Sequence, residues 1–207
     1  MEKASDIAVV VLGAGTGKRF ANDDKLDQKL GDKAVAHHIM GSLAPFRWGR
    51  KILVHRGNAP WHDAFIDNGY ILTPVVEQSD GMLGSMHNGL AHVTHERYVL
   101  VCLADMPLVS IGHLASLLGL FRSRNGAIVA SRSRNYRGPP AIIPLARLDS
   151  LPKTGEGGAR ILLDEAQFVD ANELLLADID TSDDLEKVRI CYKQAGPASF
   201  LNERDFG

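Results

Sequence analysis

The stretch Ile7-Ala8-Val9-Val10-Val11-Leu12-Gly13-Ala14-Gly15-Thr16-Gly17-Lys18-Arg19-Phe20 bears on the fold in its first half and on chemistry in its second. Ile7–Leu12 is a near-continuous apolar run rich in β-branched residues. A strand wet on one face alternates apolar with polar, whereas a strand covered on both faces reads as this run does. It predicts the buried strand of a parallel sheet. Working outward, Ile52–His55, Tyr70–Val76, Tyr98–Ala104 and Ala127–Ser131 are further candidate strands. Between them Val35–Pro45, Trp61–Asp67, Ser85–His95 and Ile111–Ser123 suit helices. The last carries Ile111, Leu114, Ala115, Leu118 and Phe121 on one stripe. Beyond these, Gly157–Ala166 reads as a helix and Leu174–Ile179 as a strand. Thr181 and Asp184 then make a capping-box-like start to a helix reaching Tyr192. The alternation predicts an α/β fold: a single three-layer, Rossmann-like domain with a mostly parallel sheet and helices on both faces. The domain is expected to span residues 1–195, with 196–207 a tail that lacks periodicity.

Composition limits the function classes. The chain has 207 residues, enough for one well-buried α/β domain and short for two. Hydrophobic residues at 45% and charged residues at 23% are ordinary for a soluble globular protein. A net charge of −2 gives no general attraction to nucleic acid, so no nucleic-acid partner is expected. Two cysteines, Cys102 and Cys191, do not make a disulfide framework, and a reducing compartment is the simpler setting. The apolar run after Met1–Asp6 is too short for a signal segment or a membrane span. The expectation is a cytoplasmic protein without a membrane partner.

In sheets of this kind ligands bind at the carboxyl ends of the strands, near the point where strand order reverses. Gly13, Gly15 and Gly17 let backbone approach a ligand closely, and their N–H groups can cradle phosphate oxygens. A P-loop would need glycine where Leu12 stands and Ser or Thr where Arg19 stands. A dinucleotide fingerprint would need glycine at Lys18. What remains is a Gly-rich loop followed by Lys18, Arg19 and Lys25, a set of cations suited to a triphosphate. A tight strand-to-helix turn with solvated charges accounts for the loop equally well. The second strand end is Ala104-Asp105-Met106-Pro107. A carboxylate there can hold Mg²⁺ together with waters and phosphate oxygens, or it can cap a turn ahead of Pro107. Asp178 and Asp180 form another acidic pair where strand meets helix, which helix N-terminal electrostatics also explains.

Taken together these residues resemble the small nucleotidyltransferases of molybdenum cofactor biosynthesis, the cytidylyltransferase group first and the guanylyltransferases beside it. That family's Leu-Ala-Ala-Gly-x-Ser-x-Arg-Met-Gly followed by Lys-Leu is similar to Leu12-Gly13-Ala14-Gly15-Thr16-Gly17-Lys18-Arg19-Phe20 and Lys25-Leu26. Its Gly-Met-Gly-Ser-Ser-Leu resembles Gly81-Met82-Leu83-Gly84-Ser85-Met86. Its Gly-Asp-Gln-Pro-Leu-Val resembles Ala104-Asp105-Met106-Pro107-Leu108-Val109, and its Arg-Gly-His-Pro resembles Arg137-Gly138-Pro139-Pro140. Gly155-Glu156-Gly157-Gly158-Ala159-Arg160 and Asp178-Ile179-Asp180-Thr181-Ser182-Asp183-Asp184-Leu185 complete the ordered series, which runs from residue 12 to residue 185.

The resemblance implies a nucleotidyltransferase domain and assigns roles. Leu12, Gly13, Ala14, Gly15, Thr16, Gly17 and Lys18 would hold the nucleotide, with Gly81 and Ser85 completing the nucleoside pocket. Arg19 and Lys25 would neutralise the triphosphate. Asp105, with Asp180 or Asp178, would bind Mg²⁺. Arg137, Gly158 and Arg160 would face a molybdopterin-type acceptor. The acceptor's phosphate would attack the α-phosphorus in line and pyrophosphate would leave, which needs no side-chain nucleophile. A molybdoenzyme or its chaperone would receive the product. Ala14 corresponds to Ala in the cytidylyl group and Gly in the guanylyl group, which favours CTP over GTP. The departures are Gly13 for Ala, Ala21 for Gly, one extra residue in Ala21–Asp24, Leu83 for a small residue, and Gln28-Lys29 for an apolar residue and proline.

Other signals are explained without chemistry. His37-His38 and the pair His92 and His95 lack any metal-ligand spacing. Trp48 and Trp61 flank Lys51–His55 and are expected to pack around that strand. Arg132 and Arg134 suit a solvated loop. Rival readings are a sugar-phosphate nucleotidyltransferase and a non-catalytic nucleotide- or cofactor-binding protein on the same fold.

Overall fold

The computed structural model describes residues 3–15, 24–75, 81–151 and 159–195. Among these, seven strands form one sheet: β1 (Lys3–Gly13), β4 (Arg47–His55), β5 (Ile71–Pro74), β6 (Tyr98–Leu103), β7 (Val129–Arg132), β8 (Arg137–Pro144) and β9 (Gln167–Asp170). Strands β2 (Lys29–Leu30) and β3 (Lys33–Ala34) make a separate antiparallel ribbon. The sheet order is β5-β4-β1-β6-β8-β7-β9. Parallel pairs join β1 to β4, β1 to β6, β4 to β5 and β7 to β9, while β8 runs against both β6 and β7. The helices are α1 (Val35–Leu43), α2 (His62–Asp67), α3 (Gly81–Leu90), α4 (Ile111–Ser123), α5 (Leu145–Asp149) and α6 (Ser182–Ala195). This is the expected α/β layering.

Strand β1 explains it. Ile7, Val9 and Val11 pack on one side with Leu53, Leu100 and Cys102 beneath α1, α2, α4 and α6. Ala8, Val10 and Leu12 pack on the other with Ile52, Val54, Val99 and Val101 beneath α3 and α5. Each fully buried Val, Leu or Ile contributes about 1.5–3 kcal/mol relative to exposure, so both faces must stay dry. Gly89 lets α3 lie directly on the sheet, since a Cβ there would sit 2.7 Å from Val10 Cγ1 and 3.0 Å from Val54 Cγ2.

Three expectations are corrected. Leu174–Ile179 is not a strand. Its apolar spacing mimics one, but Asn172 folds it into a turn: the Asn172 side chain accepts from Leu174 N, and its carbonyl accepts from Leu175 N. Gly157–Ala166 gives a 3₁₀ helix over Arg160–Glu165 rather than an α-helix. The helix expected at Ser85–His95 starts at Gly81 and ends at Leu90, which puts Ser85 one turn after Gly81 at its start. Strand β8 was not anticipated, because Pro139 and Pro140 argue against a ladder. The pairing with β7 shifts register between Ala130 and Ser131, and the prolines fall in that gap. Among the described residues no helix is long and apolar enough to cross a membrane.

A buried polar chain ties α4 to this irregular ladder. The Ser131 hydroxyl donates to the Pro140 carbonyl at 2.7 Å, so His113 Nε2–H donates to Ser131 Oγ at 2.8 Å. Burial pushes the His113 imidazole down to about 4. A folded pKa below the unfolded value means the unfolded chain takes up the proton first as pH falls. Stability is therefore lost on acidification from about 6.5 to about 4, by about 3 kcal/mol from this group. His113→Gln is expected to flatten the pH dependence of unfolding by that amount, read by denaturant titration from pH 7 to pH 4. An unchanged slope would sink the assignment.

Candidate active site

The carboxyl ends of β1 and β6 lie side by side, held by Ala104 N donating to Leu12 O at 3.0 Å. Sheet order departs in opposite directions from this pair, which makes it the switch point where such sheets accept ligands. Gly13-Ala14-Gly15 leaves β1 and Ala104-Asp105 leaves β6. A third segment arrives from far along the chain, with Ile179 N donating to Asp105 O at 3.0 Å. That bond lays Asp178 and Asp180 on either side of the strand end.

Lys25 joins these pieces. Its Nζ donates to Asp105 Oδ2 at 2.7 Å and to Asp180 Oδ1 at 3.0 Å. The lysine side chain is 8% exposed, against 20% for Asp105 and 47% for Asp180. Burial pulls its pKa down, but the charge and hydrogen bond of Asp105, then those of Asp180, outweigh burial and raise it. The ammonium therefore stays charged. Burial, and then the charges of Asp105 and Asp180, raise the Asp178 carboxyl.

Asp105 Oδ1 is buried and has no hydrogen-bond partner among the described residues. An orphaned carboxylate oxygen beside a second carboxylate suits a hard cation, which takes oxygen ligands. Among the described residues no set of three His, Cys, Asp or Glu side chains is placed to hold a metal by itself. A divalent ion fits here in the manner usual for Mg²⁺, on one or two carboxylates with the rest of its shell from water and phosphate. Asp105 and Asp180 are the residues that could hold it.

The placement of Lys25 has its own support. Asp24 accepts Leu26 N at 2.9 Å through Oδ1 and Trp61 Nε1–H at 2.8 Å through Oδ2. Trp61 also covers the start of the Gly-rich loop, because a Cβ on Gly13 would lie 3.1 Å from Trp61 Cη2. The glycine at this position is thus matched to the indole. Neither Asp24 nor this use of Trp61 was visible in the sequence; the one signal was glycine standing where the resembling family has alanine.

On the α3 side the same edge opens into a cleft of about 120 Å³. Leu12, Met82, Met86, Val101 and Ile143 are among its apolar lining, and Tyr136, Arg137, Arg160 and Asp178 supply its polar groups. Neither Arg137 nor Arg160 has a carboxylate partner among the described residues. Arg137 stacks over the Phe168 ring at 5.5 Å, whereas Arg132, over the same ring, is neutralised by Asp170 through bonds of 2.6 and 2.9 Å. Two guanidinium groups without a carboxylate partner among the described residues, set beside apolar lining, suit a ligand with a phosphate and an apolar body.

The structure therefore brings together Lys25, Asp105, Asp178 and Asp180, with Gly13, Ala14 and Gly15 adjacent, and puts Leu12, Arg137 and Arg160 in one cleft. Gly81 and Ser85 flank Met82 in α3, and Ser85 Oγ donates to Gly81 O at 3.3 Å. Thr16, Gly17, Lys18, Arg19 and Gly158 lie outside the described residues. The histidines are structural where they are bonded: His37 and His38 each pair Nε2 with a backbone carbonyl, of Trp61 and Leu30.

The family model described as the MobA-like NTP transferase domain matches residues 9–171. Comparison with curated protein sequences gives no match. Among solved structures, a nucleotidyl transferase from Methanothermobacter thermautotroptrophicus is similar at 16% identity and TM-score 0.78, covering 92% of this chain and 99% of that one. Molybdopterin-guanine dinucleotide biosynthesis protein A from Archaeoglobus fulgidus is 20% identical at TM-score 0.65, with 90% and 99% coverage. A Mycobacterium tuberculosis protein solved in complex with manganese is 18% identical at TM-score 0.62, again with 90% and 99% coverage.

The contact between Gly13 and Trp61 can be tested by double mutation. Gly13→Ala is expected to cost about 1 kcal/mol, or a fall of roughly 2–4 °C in the thermal midpoint. Trp61→Phe removes Cη2, so in the double variant the two costs should be less than additive. Strict additivity in calorimetry would show that the contact is not made.

Proposed function

The chain belongs to the MobA-like NTP transferase domain family, and from that premise we propose that it moves a nucleoside monophosphate from CTP to the phosphate of a molybdopterin-type acceptor. The observation that carries this reading is the convergence of Lys25, Asp105 and Asp180 beside Gly13–Gly15, with Arg137 and Arg160 in the neighbouring cleft that Leu12 and Asp178 also line. The Gly-rich backbone, continuing through Thr16, Gly17, Lys18 and Arg19, cradles the triphosphate. Gly81 and Ser85 border the nucleoside. Arg137 and Arg160, with Gly158, hold the acceptor's phosphate. A phosphate oxygen of the acceptor attacks the α-phosphorus; the new P–O bond forms as the bond to the β-phosphate oxygen breaks, and pyrophosphate leaves with that electron pair.

This chain's residues position and neutralise rather than donate protons. Lys25 and Arg19 offset charge on the transferring group and on pyrophosphate. Asp105 and Asp180, with Asp178 nearby, would hold Mg²⁺, which supplies positive charge and a template for the phosphate oxygens when bound. The manganese in a structural neighbour supports use of a divalent ion. Ala14 supports CTP, because a methyl group just past the end of β1 would leave a purine less room than glycine at that position. The archaeal neighbour named for a guanine dinucleotide keeps GTP as the second reading. The two free cysteines are consistent with a reducing cytosol, where a molybdoenzyme or its chaperone would take the product.

Thermal-shift titration with CTP, GTP, ATP and UTP, with and without Mg²⁺, ranks the bases by mass action. The largest Mg²⁺-dependent shift is expected with CTP, and pyrophosphate release should then require a molybdopterin-type acceptor. Asp105→Asn should lower turnover roughly 100-fold or more. Arg137→Ala should raise the acceptor's KM and leave the CTP-induced shift in place. A full-rate Asp105→Asn enzyme would overturn the reading, and a GTP preference would move it to the guanylyl branch.

A further inference from the structure

Lys25 is placed where a metal ion would compete with it. Its ammonium takes Asp105 Oδ2 and Asp180 Oδ1 at 2.7 and 3.0 Å, the two carboxylates that the proposed function gives to a divalent cation. We propose that Lys25 and the divalent ion are mutually exclusive at Asp105 and Asp180, and that the triphosphate makes room for the metal by drawing Lys25 away. The proposal rests on the reading of the site given above.

Three observations carry it. The lysine is buried, so a divalent ion on the same carboxylates would face the ammonium with little water between them, and like charges at that range repel strongly. The carboxylates are too few to hold the ion alone among the described residues, so its remaining ligands must come from water and from the nucleotide. Finally, the backbone at Lys25 is anchored, which leaves the movement to its side chain. Asp24 is fixed by Trp61 Nε1–H and Leu26 N, and Leu26 is buried against the start of the Gly-rich loop. Only the four-carbon side chain needs to turn, from the carboxylates toward the phosphates that the proposed function places at Gly13–Gly15. Nucleotide and metal then bind as a coupled pair: the phosphates replace the carboxylates as partners of Lys25, and the metal replaces Lys25 as partner of the carboxylates.

Mn²⁺ binding, followed by the paramagnetic resonance signal of the free ion, tests this without turnover. Wild-type protein should bind Mn²⁺ weakly alone and at least tenfold more tightly with a non-hydrolysable CTP analogue. Lys25→Met should bind Mn²⁺ alone at least tenfold more tightly than wild type, and the analogue should add less to it than it adds to wild type. Lys25→Gln serves as the second variant, and Mn²⁺ alone should raise the thermal midpoint of either variant more than that of wild type. Asp105→Asn should abolish the gain in the Lys25→Met background. Equal or weaker Mn²⁺ binding by both lysine variants overturns the proposal while leaving the nucleotidyltransferase reading intact. No Mn²⁺ binding by any of the proteins, with or without nucleotide, removes the metal site and overturns both.

Discussion

Strand β1 must be dry on both faces, and the site depends on that. Ile7, Val9 and Val11 need helices on one side of the sheet, and Ala8, Val10 and Leu12 need them on the other. A chain meeting that demand with short, right-handed crossovers adds β4 and β5 on one flank of β1 and β6 on the other. The connections then depart in opposite directions from the ends of β1 and β6, which makes the crevice between those ends the place where such a sheet accepts ligands. Gly13-Ala14-Gly15 and Asp105 meet there because hydrophobic burial upstream puts them there.

What collects in that crevice is poorly explained by stability. A buried ion pair recovers through mutual attraction much of what desolvation costs, and apolar replacements of similar volume often do as well. Lys25 with Asp105 and Asp180 is such a pair with an added carboxylate. Asp105 Oδ1, left without a partner among the described residues, costs about 1–3 kcal/mol by itself. The surroundings are nonetheless built to keep it: Trp61 and Asp24 brace Lys25, and Ile179 N clasps the Asp105 carbonyl. Support invested around an unsatisfied group is the pattern of a site made ready for a ligand.

The legible parts of the molecule were those decided by short-range pattern. The apolar run of β1 and the stripe of α4 stand in the structure where periodicity predicts them, and Asp105 follows its strand directly. Lys25 and Asp180 are separated by 155 residues, and no spacing rule joins them; the family resemblance pointed to both, while the bond between them is visible only in the fold. Leu174–Ile179 misled because a short apolar run also occurs in a turn held by an asparagine side chain. Strand β8 was hidden by its prolines, which a register shift accommodates.

The reversal of β8 also explains how Arg137 reaches the site. In parallel strands the ligand edge is the carboxyl end. Because β8 runs against β6, its first residue arrives at the edge where β6 finishes. Arg137 reaches the cleft from a strand start, and Arg160 from the 3₁₀ helix after α5. Nucleotide and acceptor sides, as proposed, thus come from different elements: ends of parallel strands for one, an antiparallel strand and a short helix for the other. They meet at residues 178–180, where Asp178 lines the cleft and Asp180 bonds Lys25. The 3₁₀ helix on the acceptor side stands outside the sheet and can vary without breaking the ladder of β1 and β6, so one phosphate-binding framework can serve acceptors of different shape.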